Sequence, residues 1–319
     1  MTIQDFIIEA KKDTLSFLNY IYDDVIELTD QEIIKANDTR LHGFVIRRKN
    51  SPAGANIYVD DLFERHESGE NMSELIEELK ARCLYALECP VPPVDSLADL
   101  NLDVIRSRLT LKLLDVRRNK GYLSDRPYID AGCGLAMAAD LGCDDTILAE
   151  WKTAVTNDLL DSIGCSREEL LTAAMENTVA IEPPLLMDLP DYVRTGNEKN
   201  FLDPSSLCAG SYTGPFILTN KSQYRGATAL FYPGIQQKIS EIFRSGYYIL
   251  PISIHEVLII PDAYSPDTRH LQDMLINGNR TVVDGVDVLS DKVLHYDPDR
   301  DGLTLVSTDE ESYQHSHCA

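Results

Sequence analysis

Ser253, His255 and Glu256 stand within four residues of one another in the run Gly246 to Asp262, GYYILPISIHEVLIIPD. A nucleophile, a base and a carboxylate are the ingredients of a hydrolytic triad. The run reads as extended, and in a strand residues two apart share a face roughly 6 to 7 Å apart. That exceeds the roughly 2.6 to 3.2 Å contact a serine–histidine pair needs, and Glu256 points to the other face. Two accounts follow. Ser253 and His255 are half-buried groups satisfied by backbone at a sheet turn, or His255 serves a binding or catalytic site with Glu256, Tyr232 or Asp262 brought near by the fold.

Three further constellations carry chemistry on paper. Asp130, Gly132 and Gly134 in DAGCGLA resemble the turn by which methyltransferases hold S-adenosylmethionine, where glycines admit the ligand and a helix N-terminus follows. The competing account is a strand with close backbone packing, and no cofactor is expected. Asp297, Asp299 and Asp301 ahead of Gly302 spell the first half of a calcium loop, but Thr308 occupies the place of the closing glutamate. Flanking VLHY and LTLV read as strands, so a solvated hairpin turn is the expectation and no metal is assigned. His315, His317 and Cys318 offer zinc-ligand chemistry on the terminal QHSHCA, without a fourth ligand close in sequence.

These residues must be positioned by a substantial fold. The chain has 319 residues, 44% of them hydrophobic, enough for one large or two modest cores. No window approaches the roughly 18 apolar residues of a membrane span, and MTIQDFIIEAKKD lacks the flank and core of a signal peptide. A cytoplasmic protein is expected. Seven cysteines, odd in number and irregular in spacing, argue for reduced thiols over a disulfide framework. A net charge of −23 repels phosphate backbones and anionic lipid, so neither direct nucleic-acid binding nor membrane association is expected. A solubilising surface explains such acidity, with a DNA-mimicking antagonist as the sharper alternative.

Along the chain, Phe6, Ala10, Phe17 and Ile21 predict an amphipathic helix over 3–22, closed by Asp23-Asp24. Extended segments Glu32–Lys35, Leu41–Arg48 and Ala55–Val59 predict a three-stranded meander, and Asn71 with Glu74 begins a returning helix. The proline cluster after Cys89 predicts a linker. Beyond it, a short helix near 99–107 precedes LTLKLLDV, YIDAGCGLAMAAD and TILAEW, which read as strands, with Asn119-Lys120-Gly121 as a turn. Ser166 and Glu169 form a second capping box. Asp188 to Tyr212 reads as a long polar excursion, GPFILT and ATALFY as strands, and Gly234–Arg244 and Asp267–Leu275 as helices. The expected class is α+β, with an N-terminal unit over 1–92 and a larger mixed-sheet unit over 93–319, packed as one body.

The order of SPAGANIYVDDLFERHESGENMSELIEEL, LTLKLLDVRRNKGYLSDRPYID, the AAMENT helix with Pro183-Pro184, ATALFYPG, YYILPISIHEVLIIPD and LSDKVLHYD resembles the bacterial family called domain of unknown function 5688. The resemblance runs nearly end to end. Ile252, where a second small polar residue is usual, and the tail QHSHCA depart from the pattern. It implies kinship with proteins of gut Firmicutes, often encoded on mobile elements, and brings no catalytic residues. On these grounds the expected role is that of a non-catalytic accessory protein binding a protein partner through sheet edges, the acidic surface or the 188–212 segment. The alternative is an enzyme or small-ligand binder centred on His255.

Overall fold

A computed structural model describes residues 1–23, 25–49, 54–88, 101–142, 152–203, 214–264 and 267–306. The chain divides into two compact units, Met1–Leu100 and Asn101–Ala319. The proline cluster, TILAEW, the end of the polar segment (residues 204–212) and the histidine-bearing tail lie outside the described residues.

In the first unit, helix α1 (Ile3–Tyr22) starts at a capping box in which Thr2 and Asp5 satisfy each other's backbone amides. Its buried face is Phe6, Ile7, Ala10, Thr14 and Leu18, a strict helical stripe, while Ile21 is exposed against expectation. Asp23 closes the helix in the left-handed conformation. Strands β1 (Ile26–Ile34), β2 (Arg40–Arg48) and β3 (Ala55–Tyr58) form an antiparallel meander in that order. The polar turn holds as read, with Asn37 and Asp38 both at positive φ. However, β1 starts at Ile26 rather than Glu32, because buried Ile26 and Leu28 anchor its first half. A further helix, α2 (Asp60–Glu67), precedes the expected α3 (Met72–Glu88). Only Leu62 of α2 is buried, so its charged sequence gave little periodic signal.

The second unit opens with the short helix α4 (Leu102–Ile105) and continues through β4 (Leu109–Asp115), α5 (Lys120–Leu123), β5 (Tyr128–Gly132), β6 (Leu135–Gly142) and β7 (Lys152–Ala154). These strands make one antiparallel sheet with β6 between β4 and β5, and β7 pairing the end of β6. Two readings are corrected here. Asn119-Lys120-Gly121 leads into α5, since the buried Tyr122 and Leu123 draw the segment inward. YIDAGCGLAMAAD is a hairpin of two strands, because Gly132, Cys133 and Gly134 all take positive φ and reverse the chain.

Helices α6 (Asn157–Ile163) and α7 (Arg167–Ile181) follow, the second on the Ser166–Glu169 capping box as expected. From α7, buried Thr178 accepts the amide of Leu111 on β4 at 3.0 Å. Next come β8 (Pro184–Asp188), α8 (Leu189–Thr195), β9 (Phe216–Asn220), α9 (Ile235–Phe243), β10 (Tyr247–Leu250), β11 (Val257–Pro261), α10 (Thr268–Thr281), β12 (Leu294–Asp297) and β13 (Gly302–Leu305). The strands form a six-stranded antiparallel sheet in the order β13-β12-β10-β11-β9-β8. The polar excursion begins with α8, capped by the buried Asp188. ATALFY is a 3-10 helix over Gly226–Phe231, not a strand; Gly226 to Leu230 are all buried, so the run had no outward face to give it a period. The fold is mixed α+β, as expected.

Candidate functional site

Register places an unusual set of charges on one face of the sheet built on β6. Lys112 pairs across from Ala138, Thr110 from Asp140, and Gly142 from Lys152, so Lys112, Asp140 and Lys152 share that face. Small Ala136 and Ala138 beside them leave room for long side chains. Lys112 and Asp140 are buried, and the Lys112 ammonium donates to both Asp140 oxygens at 3.0 and 3.1 Å and to the Tyr122 hydroxyl. Arg225 donates to Asp140 as well. Burial by itself would raise the Asp140 carboxyl, but Lys112 and Arg225 outweigh it and hold it at about 2. For Lys112 burial wins, and its pKa falls to about 8 despite Asp140.

The loop that delivers Arg225 is tightly braced. Gln223 and Arg225 take positive φ, 56° and 55°, on either side of Tyr224. Such strain persists only where surrounding contacts fix it. Buried Asn220 supplies several, accepting the Tyr224 amide at 3.2 Å and donating to the Tyr224 carbonyl at 2.9 Å. Buried Glu182 accepts the Ser222 amide at 2.8 Å. The Arg225 amide donates to Nδ1 of His255 at 3.1 Å, and the His255 carbonyl accepts from Thr219 at 2.8 Å. Gly226 lets the chain pass: a Cβ there would sit 2.6 Å from the Asn220 nitrogen and 2.7 Å from the His255 oxygen.

Tyr224 carries cations on its ring, Lys152 at 5.1 Å and Arg225 at 5.1 Å from the centroid. Lys152 is half-buried, and burial followed by the nearby Arg225 lowers its pKa to about 8. Arg126 lies 3.9 Å over the ring of Tyr122 at the floor. The result is a buried layer of Lys112, Asp140 and Tyr122 beneath a half-buried rim of Arg126, Lys152, Tyr224, Arg225 and His255.

Ser253, His255 and Glu256 do not assemble into a triad. Ser253 to Glu256 form a turn between β10 and β11, closed by the Ser253 amide on the Glu256 carbonyl at 3.3 Å, in keeping with the sheet-turn account of these residues. Buried Ser253 turns its hydroxyl to the backbone amide of His255 at 2.8 Å. Because Nδ1 of His255 accepts from Arg225, its ring proton in the neutral form is on Nε2, which lies 3.6 Å from Asp287. His255 is thus a positioning residue for the loop. Of its suggested partners, Asp262 bonds His295 at 3.0 Å instead, and the Tyr232 hydroxyl is buried without a hydrogen-bond partner. Burial raises the Glu256 carboxyl above its usual range.

Asp130, Gly132 and Gly134 sit in the β5–β6 hairpin, where a strand follows in place of the helix that the cofactor motif requires; Asp130 caps the Gly132 amide at 2.9 Å. Asp297, Asp299 and Asp301 form the turn of the β12–β13 hairpin, as the flanking sequence predicts. Asp301 accepts from Tyr296 at 2.7 Å and Gln237 at 2.8 Å, and Asp297 accepts the Asp299 amide at 3.0 Å. Among the described residues no group of three metal-ligating side chains converges, and no helix is long and apolar enough to cross a membrane. Cys83, Cys133 and Cys165 are free thiols.

Sequence reasoning missed Lys112, Asp140, Lys152, Tyr224 and Arg225. A signal was present for the first two: Lys112 sits in the middle of the apolar run of LTLKLLD, and Asp140 is the one charge in LAMAADLG. Such a charge is buried only when paired.

Compared with known proteins, residues 3–298 match the family described as "Family of unknown function (DUF5688)". The chain belongs to this family. The match covers both units, so the Tyr224–Arg225 loop and its charged floor lie within DUF5688. No curated protein and no solved structure matches the chain.

Proposed function

We propose that the second unit of this DUF5688 protein binds a small anionic ligand at the rim formed by Lys152, Tyr224 and Arg225. One observation carries this reading: a strained, fully braced loop holds Arg225 beside Lys152 on a shared aromatic ring, above one carboxylate already bonded to two cations. Such preorganisation is what a binding site requires and a solvated surface loop does not. Like charges crowded in a half-buried site are relieved by an anion, whose oxygens accept hydrogen bonds from guanidinium and ammonium.

Thermal unfolding in inorganic phosphate and in citrate, against chloride at matched ionic strength, tests the proposal. Saturable stabilisation by one of the oxyanions is expected, reaching about 2.7 kcal/mol at a hundredfold excess over Kd. Lys152→Gln leaves the Asp140 pairs intact and weakens that response at least tenfold. Equal midpoints in phosphate, citrate and chloride would sink the idea.

A second reading is an accessory protein that engages a protein partner, favoured by the edge strands β8 and β13 of the six-stranded sheet. It predicts binding that survives Lys152→Gln and is lost when a proline is placed in β13.

A further inference from the structure

A pocket of about 410 Å3 opens elsewhere in the second unit, between the C-terminal half of α10 and the loop that follows it. This volume lies in the range of small-molecule sites. Its walls are fixed by a continuous hydrogen-bond chain. Buried Asn279 donates to the Ser290 carbonyl at 2.9 Å and to Asp291 at 2.8 Å. Ser290 donates to Asp115 at 2.8 Å, and Asp115 caps the amides of Arg117 and Arg118 at 2.7 and 3.1 Å. Arg118 closes the chain by pairing with Asp291, whose backbone carbonyl is held by Gln272. The loop itself is pinned where the Ile254 amide meets the Asp287 carbonyl at 2.9 Å and the Ser290 amide meets the Pro251 carbonyl at 3.0 Å.

The pocket is electrostatically two-sided. Arg280 lines it from an exposed position and has no ion-pair partner among the described residues. Asp291 lines it too, and both its oxygens retain a lone pair beyond those given to Asn279 and Arg118. The negative end of the 14-residue α10 adds to the acidic side. Ile276 and Val288 supply apolar wall. A simple anion would be opposed by Asp291 and the helix end, and a simple cation by Arg118 and Arg280. A zwitterion satisfies both.

We propose that this pocket takes a free α-amino acid with an aliphatic side chain: its carboxylate on Arg280, its ammonium beside Asp291 and the end of α10, and its side chain against Ile276 and Val288. The inference stands independently of the anion site around Tyr224.

Calorimetric titration of the full chain with L-leucine, with 4-methylpentanoate, which lacks the ammonium, and with 3-methylbutylamine, which lacks the carboxylate, tests it. Leucine is expected to bind with Kd below about 1 mM, and each truncated ligand at least about tenfold more weakly. Arg280→Gln, an exposed substitution, should weaken leucine about tenfold and leave the amine unaffected. Absence of saturable heat with leucine, equal affinity for all three probes, or leucine binding indifferent to Arg280→Gln would each overturn the assignment.

Discussion

Replacing Asp140 by asparagine lowers the stability of the chain by about 3 to 5 kcal/mol, because it strands Lys112 and Arg225 in a buried site without a counter-charge. The substitution keeps shape and one acceptor, so the loss reports charge and not a cavity. In thermal unfolding the midpoint should fall by roughly 10 °C. Adding Lys112→Met removes one stranded cation and recovers part of the loss, and a double-mutant cycle measures the coupling. The same pairing sets an acid limit. Asp140 titrates at about 2 in the folded chain, below the ordinary carboxyl, so its stabilisation is present above roughly pH 4 and is lost as the pH falls towards 2. The asparagine variant should lack this component of the acid transition. A change under about 1 kcal/mol would show that the pair is not the buried keystone described above.

Gly226→Ala is the second large effect. The added Cβ would lie 2.1 Å from the Thr219 hydroxyl oxygen, 2.6 Å from the Asn220 nitrogen and 2.7 Å from the His255 oxygen. Two of those atoms are backbone in the frame that braces Tyr224 and Arg225, so the loop must move. A cost of about 3 kcal/mol is expected by denaturant titration, in the upper part of the range for overpacking. Stability alone does not make the functional argument. At temperatures where the variant is folded, its stabilisation by oxyanion should be lost, because Arg225 is displaced from Lys152 and Tyr224. A folded Gly226→Ala chain with the full oxyanion response would separate the loop from binding.

Much of the architecture was legible where local chemistry and periodicity agree. The capping box at Ser166, the Asn37-Asp38 turn and the alternating β12–β13 hairpin rest on interactions a few residues apart. Failures came where tertiary burial removed the pattern. Gly226 to Leu230 are apolar on every side, so a strand and a 3-10 turn read alike. The triad residues were conspicuous by type, yet the turn at Ser253 to Glu256 spends the serine hydroxyl and one histidine nitrogen on backbone amides. The charged floor and the Lys152 side of the rim depend on a register that brings Lys112, Asp140 and Lys152 to one face from three strands. The rim depends on positive φ at Gln223 and Arg225, residues whose types do not announce it.

Native mass spectrometry of the chain isolated gently, beside its Lys152→Gln variant, tests the central claim most directly. The anion-site account predicts a stoichiometric small-molecule adduct on the wild-type chain that is lost or reduced at least tenfold in the variant. A wild-type chain that carries no adduct even after incubation with phosphate and citrate, while a copurifying protein stays bound to both forms, would contradict it and establish the accessory-protein reading instead.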